Sequence, residues 1–280
     1  MGSDKTVAER LWAFAIWALV IFFIINVVAL VAAVVVNSFG TRWFNAWLPA
    51  DFTMRWYASA WQEFQLNEVL IVTFEVVGAV VVLSGLLGVP AAYALARRNF
   101  PGKRLILLLF LLPMMIPPIT FGIPLATVLY QLHLGGAMSG VILANLVPTV
   151  PFVVLVMIPF IEQIDPRIEA AARVFGAGTG ALFLRILIPL LAPGILAALL
   201  LVLVRTIAMF ELTFFTAGPG SQTLVVALYY AVYAAGVRAG QSIDAMAVVY
   251  MTTTLVWLLV ALRFVDPTQI VTRAKREAAH

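Results

Sequence analysis

The stretch Glu162–Gly194 reads EQIDPRIEAAARVFGAGTGALFLRILIPLLAPG and separates two long apolar runs. Its local structure can be parsed residue by residue. Asp165 is a good N-cap, Pro166 suits the first helical position, and Glu169 falls near the first turn, where negative charge meets the positive end of the helix dipole. A short helix is expected to run to about Phe175. Gly176 and Gly178 permit left-handed backbone, Thr179 is placed to cap a second helix, and Pro189 discourages that helix from continuing. Ile168, Ala171, Ala172 and Phe175 recur at spacings of three and four, as do Leu182, Phe183 and Ile186. The expectation is a helix-turn-helix knob with Arg173 and Arg185 on its flanks. Such a knob is shaped to fill a groove on a soluble partner; the plainer reading is that it lies on the membrane surface.

The flanking sequence fixes the solvent around this knob. Of 280 residues, 64% are hydrophobic and 11% charged, against roughly a quarter charged in an average soluble domain. A hydrocarbon core about 30 Å thick takes roughly 20 apolar helical residues to cross. Six runs qualify, at residues 11–36, 68–96, 105–132, 141–161, 194–216 and 242–264. The expected fold is an all-α membrane protein with six transmembrane helices. It forms a single domain over 1–280, with the loop 162–193 between the fourth and fifth helices. The first run is too long for the apolar part of a signal peptide and is read as a retained helix. With no cysteine in the chain, disulfides, thiolate catalysis and cysteine-held metals are excluded.

The net charge of +4 is explained by where the cations fall. Lys5, Arg10, Arg97, Arg98, Lys103, Arg104, Arg167, Arg173, Arg185, Arg263, Arg273, Lys275 and Arg276 lie in the termini and alternate loops. Only Arg42, Arg55 and Arg238 lie on the other side. Cytoplasmic loops carry the excess of Lys and Arg, so both termini and the knob are expected in the cytoplasm. The basic balance is thus a topology signal and does not point to nucleic acid. Segment 37–67, on the outer side, holds Trp43, Trp47, Trp56, Tyr57 and Trp61, and is expected to contain a short helix along the headgroup layer. Pro113, Pro117, Pro118 and Pro124 must kink or break the third helix.

Glu75, Arg205 and Glu211 fall inside expected spans, where unpaired charge is costly. They are the candidates for a translocation pathway, with Glu75–Arg205 weighed as a structural ion pair. Arg205 and Glu211, six apart on one expected helix, point about 240° apart and do not pair there. Tyr229, Tyr230 and Tyr233 are read either as lining an entry path or as packing.

The loop resembles one found in a known family, the permease subunits of binding-protein-dependent ATP-binding-cassette importers, in their polyamine and maltose-type branch. Those subunits carry Glu-Ala-Ala, three residues, glycine, nine residues, and Ile-x-Leu-Pro. With the glycine on Gly176, the alanines fall on Ala171 and Ala172, the isoleucine on Ile186 and the proline on Pro189; the leucine is Ile188 here. The motif's glutamate falls on Ala170, with Glu169 one residue and about 100° away. Whether Glu169 takes the family's contact at the ATPase is therefore decided by the fold. The proline-rich stretch from Leu112 to Gly122, and Phe210-Glu211 through Gly218-Pro219-Gly220, are similar to polyamine and iron-type members.

The resemblance implies a bacterial inner-membrane permease whose coupling loop involves Glu169, Ala171, Ala172, Arg173, Gly176, Arg185, Ile186 and Pro189. It also implies two cytoplasmic ATPase subunits, a second permease in a heterodimer, an external substrate-binding protein and the lipid bilayer as partners. ATP and magnesium would be bound by the ATPases; no cofactor is implied for this chain, and no enzymatic activity of its own. The solute is expected to be polyamine-like first, then a sugar, a phosphonate, another organic solute or ferric iron. The rival readings are an ion-coupled secondary transporter using Glu75 and Glu211, and a structural scaffold. No internal repeat supports the transporter. No phosphate-binding Gly-x-x-x-x-Gly-Lys loop and no protease or esterase motif occurs.

Overall fold

A computed structural model describes residues 7–43, 48–233 and 239–264. Trp47, Arg238, Lys5, Arg273, Lys275 and Arg276 lie outside these residues. The helices are α1 (Val7–Phe39), α2 (Arg55–Glu63), α3 (Leu66–Arg97), α4 (Lys103–Met115), α5 (Pro118–Gln131), α6 (Met138–Glu162), α7 (Pro166–Val174), α8 (Thr179–Leu182), α9 (Ile188–Ile207), α10 (Glu211–Thr216), α11 (Leu224–Tyr233) and α12 (Gly240–Phe264). Among the described residues there is no strand, only two isolated bridges. Five helical stretches are long and apolar enough to cross a membrane, and six if α4 and α5 count as one span.

The prolines act as the sequence predicts. α4 and α5 meet at 104°. Pro117 and Pro118 cannot donate amides, and the residue before each is pushed out of helical geometry: Ile116 is extended, with ψ at 130°.

The fifth span departs from expectation in two ways. It was expected to begin at Gly194, after a second knob helix closed off by Pro189. Instead helix runs unbroken from Thr179 to Ile207, and α8 passes into α9 through a π-helical turn, Phe183–Leu187. There the Ile188 amide donates to the Phe183 carbonyl, five residues back. The wider turn gives room to the Pro189 ring, which in a regular helix would collide with the carbonyl four residues earlier. Thr179 does not cap α8; Gly178 takes the cap position without a side-chain bond. The span was also expected to reach Thr216, but it stops at Ile207 and α10 starts after a break. Arg205 then sits in the last turn of α9 and Glu211 in the first turn of α10, each charge at the helix end whose dipole favours it.

Two compact units make up the chain. The first gathers α1, α2 and the beginning of α12. Its polar contacts cluster in the tryptophan-rich segment, where the expected short helix is α2. The Trp56 indole donates to the Gly40 carbonyl at 2.7 Å and the Trp43 indole to Asn37 Oδ1 at 2.8 Å. The Asn37 amide in turn donates to Asp244 at 2.5 Å. Within α1, none of the most apolar window is buried.

The second unit holds α3 to α10. Its core lies where α3, α6 and α9 pack, around Val80, Val89, Val153, Met157, Leu191 and Val202. Gly88 permits α3 to approach α6 closely, since a Cβ there would lie 2.6 Å from Val153 Cγ1. A buried polar string links α3, α6 and α10. Ser84 and Thr149 hydroxyls lie 2.8 Å apart, Thr149 donates to the Asn145 carbonyl at 2.7 Å, and the Asn145 amide reaches Thr213 at 3.3 Å. Between membrane helices, where lipid offers no hydrophobic drive to associate, close small-residue contacts and such hydrogen bonds supply the adhesion.

Candidate functional site: the knob and its seat

The knob forms where the sequence places it. Asp165 Oδ1 accepts from the Arg167 amide at 2.9 Å, and Pro166 opens α7. The helix ends at Phe175, and Gly176 follows with φ at +83°. That conformation costs an L side chain roughly 1–2 kcal/mol.

The apolar stripe of α7 points largely outward. Ile168, Ala171 and Phe175 are exposed, Phe175 at 91% and its neighbour Val174 at 85%. Ala172 is tucked against the core. The residue buried in α7 is Glu169. Its Oε1 accepts from Arg97 Nε at 2.8 Å and its Oε2 from the Tyr93 hydroxyl at 2.5 Å. Arg97 also donates to the Ile164 carbonyl at 2.6 Å. Both carboxylate oxygens are engaged inside the chain, because the one-residue offset turns the side chain toward the end of α3.

Tyr93 and Arg97 stand four apart on α3 and so share a face. Arg97 lies in the last turn of α3, where a cation meets the negative end of the helix dipole. The Tyr93 ring also packs edge-on against Phe183, with centroids 5.0 Å apart. One face of α3 therefore holds α7 through Glu169 and the second arm of the knob through Phe183. Sequence reasoning counted Arg97 only as a topology charge and passed over Tyr93. Their signal was an aromatic donor and a guanidinium at i, i+4 at the basic end of a span. Arg173 and Arg185 are exposed on the knob, Pro189 is exposed, and Ile186 is half-buried.

The three charges inside the spans do not converge. Glu75 is exposed on α3. The Arg205 guanidinium lies over the Phe152 ring, 4.8 Å from its centroid. Arg97 and Glu169 form an ion pair, but Glu75 and Arg205 do not. An aromatic face supports a cation without a second charge, which lets Arg205 stand without Glu75. Glu211 is half-buried. Its chain neighbour Phe210, with Phe214, Phe215, Tyr229 and Tyr230, forms a ring cluster whose contacting pairs have centroids 5.0 to 5.8 Å apart. Tyr233 belongs to the other unit.

Residues 84–270, well over half of the chain, match the family described as binding-protein-dependent transport system inner membrane component. The chain belongs to this family. Relatives include the trehalose transport system permease of Mycobacterium tuberculosis, 36% identical over 44% of this chain and 45% of that protein. The sulfoquinovosyl glycerol transport system permease of Agrobacterium fabrum is 33% identical over 65% of this chain and 64% of its own length. The molybdenum transport system permease of Haemophilus influenzae is 35% identical, over 51% and 69% respectively. The chain thus spans about half to two thirds of these relatives. The fold is that of a solved bacterial transporter importing the acidic polysaccharide alginate, with a TM-score of 0.77 at 18% identity over 95% of this chain and all of that one.

Proposed function

We propose that this permease forms half of a membrane pathway through which a small polar organic solute is taken into the cytoplasm of a bacterium, driven by ATP hydrolysed on separate subunits. The observation that carries this reading is the knob. Its apolar tip, Val174 and Phe175, projects away from the chain that anchors it, and an exposed apolar helix end of this kind fits a groove on a soluble partner. Two cytoplasmic ATPases would seat on the knobs of this chain and of a second permease, and an external binding protein would deliver the solute. A solved bacterial alginate transporter in complex with an alginate pentasaccharide-bound periplasmic protein supports that arrangement. Closure of the ATPases drives alternating access only by favouring one state of the paired permeases over the other.

For the solute, the polyamine expectation comes from the resemblance, with Glu211 as a carboxylate that suits a cation. The ring cluster beside it accommodates a cation over an aromatic face and also the apolar face of a sugar ring. Relatives are named for trehalose, sulfoquinovosyl glycerol and diacetylchitobiose, and others for molybdenum and sulfate, so they do not single out one solute class.

The test is isolation of the tagged chain from its own membranes. We expect two ATPase chains and a second permease to come with it, and uptake in vesicles to need ATP. Uptake without any ATPase would overturn the reading and favour the ion-coupled alternative. Replacing Gly176 by Leu is expected to abolish ATPase co-purification while leaving the chain in the membrane.

A further inference from the structure

The knob must be tied to the membrane helices if its movement is to reach the pathway, and the structure shows one polar tie. Resting on the permease reading above, we propose that Tyr93 and Arg97 of α3 form a socket that carries displacement of the knob into the second span, with Glu169 as its pin. Three observations converge on this assignment. Glu169 is buried, although Ile168 and Val174 of the same short helix are exposed. Its two oxygens are divided between two donors four residues apart on a single helix face. The same two side chains also reach beyond α7: Arg97 holds the Ile164 carbonyl, at the end of α6, and Tyr93 holds Phe183, at the π-helical turn. The socket therefore meets the knob at its entry, along its first arm and along its second.

Position also suits transmission. α3 packs along α6 and α9 through the core of this unit, so a pull on its basic end is passed to packed helices that have few ways to yield. Direct charge-assisted bonds fix direction as well as distance. A knob held by apolar contacts alone would be free to slip. Tyr93, Arg97 and Glu169 are positioning residues in this role, and none is assigned contact with the solute.

The test uses the tagged complex in lipid vesicles, with solute uptake and ATP hydrolysis measured side by side. Glu169→Gln keeps shape and removes charge, and Arg97→Glu combined with Glu169→Arg restores the pair in exchanged order. In the Gln variant we expect ATPase co-purification and hydrolysis to persist while uptake per ATP falls about fivefold or more, with partial recovery in the exchange. Unchanged uptake per ATP would overturn the socket. So would parallel loss of uptake, hydrolysis and co-purification that the exchange does not repair, since that marks a merely structural contact. A second measurement needs no ATPase: the chain has no cysteine, so a spin label on Val174→Cys reports the knob alone in native membranes. Glu169→Gln is expected to raise its mobility, and an unaltered spectrum would overturn the proposal even where no ATPase is recovered. Failure of the unmodified complex to show ATP-dependent uptake would count against the permease reading instead.

Discussion

At the residue scale, Glu169 shows how a shift of one position reassigns a charge. On Ala170 the carboxylate would have stood elsewhere on α7; at 169 it turns inward to Arg97 and Tyr93. Truncating one partner of a largely buried pair leaves the other's charge uncompensated, so Glu169→Ala is expected to cost about 2–3 kcal/mol in thermal unfolding of the detergent-solubilised chain. Replacing both, as Arg97→Met with Glu169→Leu, is expected to recover most of that stability. Gly88 gives a second case. A methyl there meets Val153 at 2.6 Å, so Gly88→Ala is expected to lower the unfolding temperature by an amount corresponding to about 1–3 kcal/mol, and adding Val153→Ala to restore it. Gly176 was legible in the sequence because its demand is local: left-handed backbone after a helix end. Tyr93 was not, because its partner lies 76 residues along the chain and no local period marks it.

At the element scale, the knob's first arm was legible and its second was not. Asp165, Pro166 and Gly176 are punctuation marks that act within one turn of helix. Pro189 reads as a stop by the same logic, yet the chain absorbs it with a π-helical turn and continues. The widened turn makes room for the proline ring without ending the helix, and no sequence period announces it. The prediction follows from the cause: Pro189→Ala supplies the missing amide, lets residues 183–187 tighten, and rotates the knob's second arm relative to α9. Uptake per ATP is expected to fall while membrane insertion is unchanged, as read by vesicle assays and alkaline extraction. The broken third span was legible because four prolines in about a dozen residues leave a helix no regular alternative.

For the whole molecule, apolar runs and cation placement carried the sequence reading, and the helices found match those runs within a few residues, apart from the fifth. Composition reports solvent faithfully because each span meets lipid independently. It is silent on which buried charges meet, and so the Glu75–Arg205 pairing failed while Arg205 settled on Phe152. The expected orientation has a direct check. Val174 and Met54, both well exposed, replaced singly by Cys, are expected to react with a membrane-impermeant maleimide from opposite faces, Val174 from the cytoplasm.

The first helix has a consequence for how the protein is made. α1 buries none of its most apolar window, whereas half of the corresponding window in α6 is buried. The α1 window, covered by no later part of the chain, is ready to leave the insertion machinery for lipid as soon as it has been synthesised. α6, with three internal prolines and the polar groups of Asn145 and Thr149, must wait until α9 and α10 are translated to cover it. Biogenesis of this permease therefore has a built-in delay between its first and fourth spans, and a stalled chain ending before α9 would be the form that membrane quality control meets.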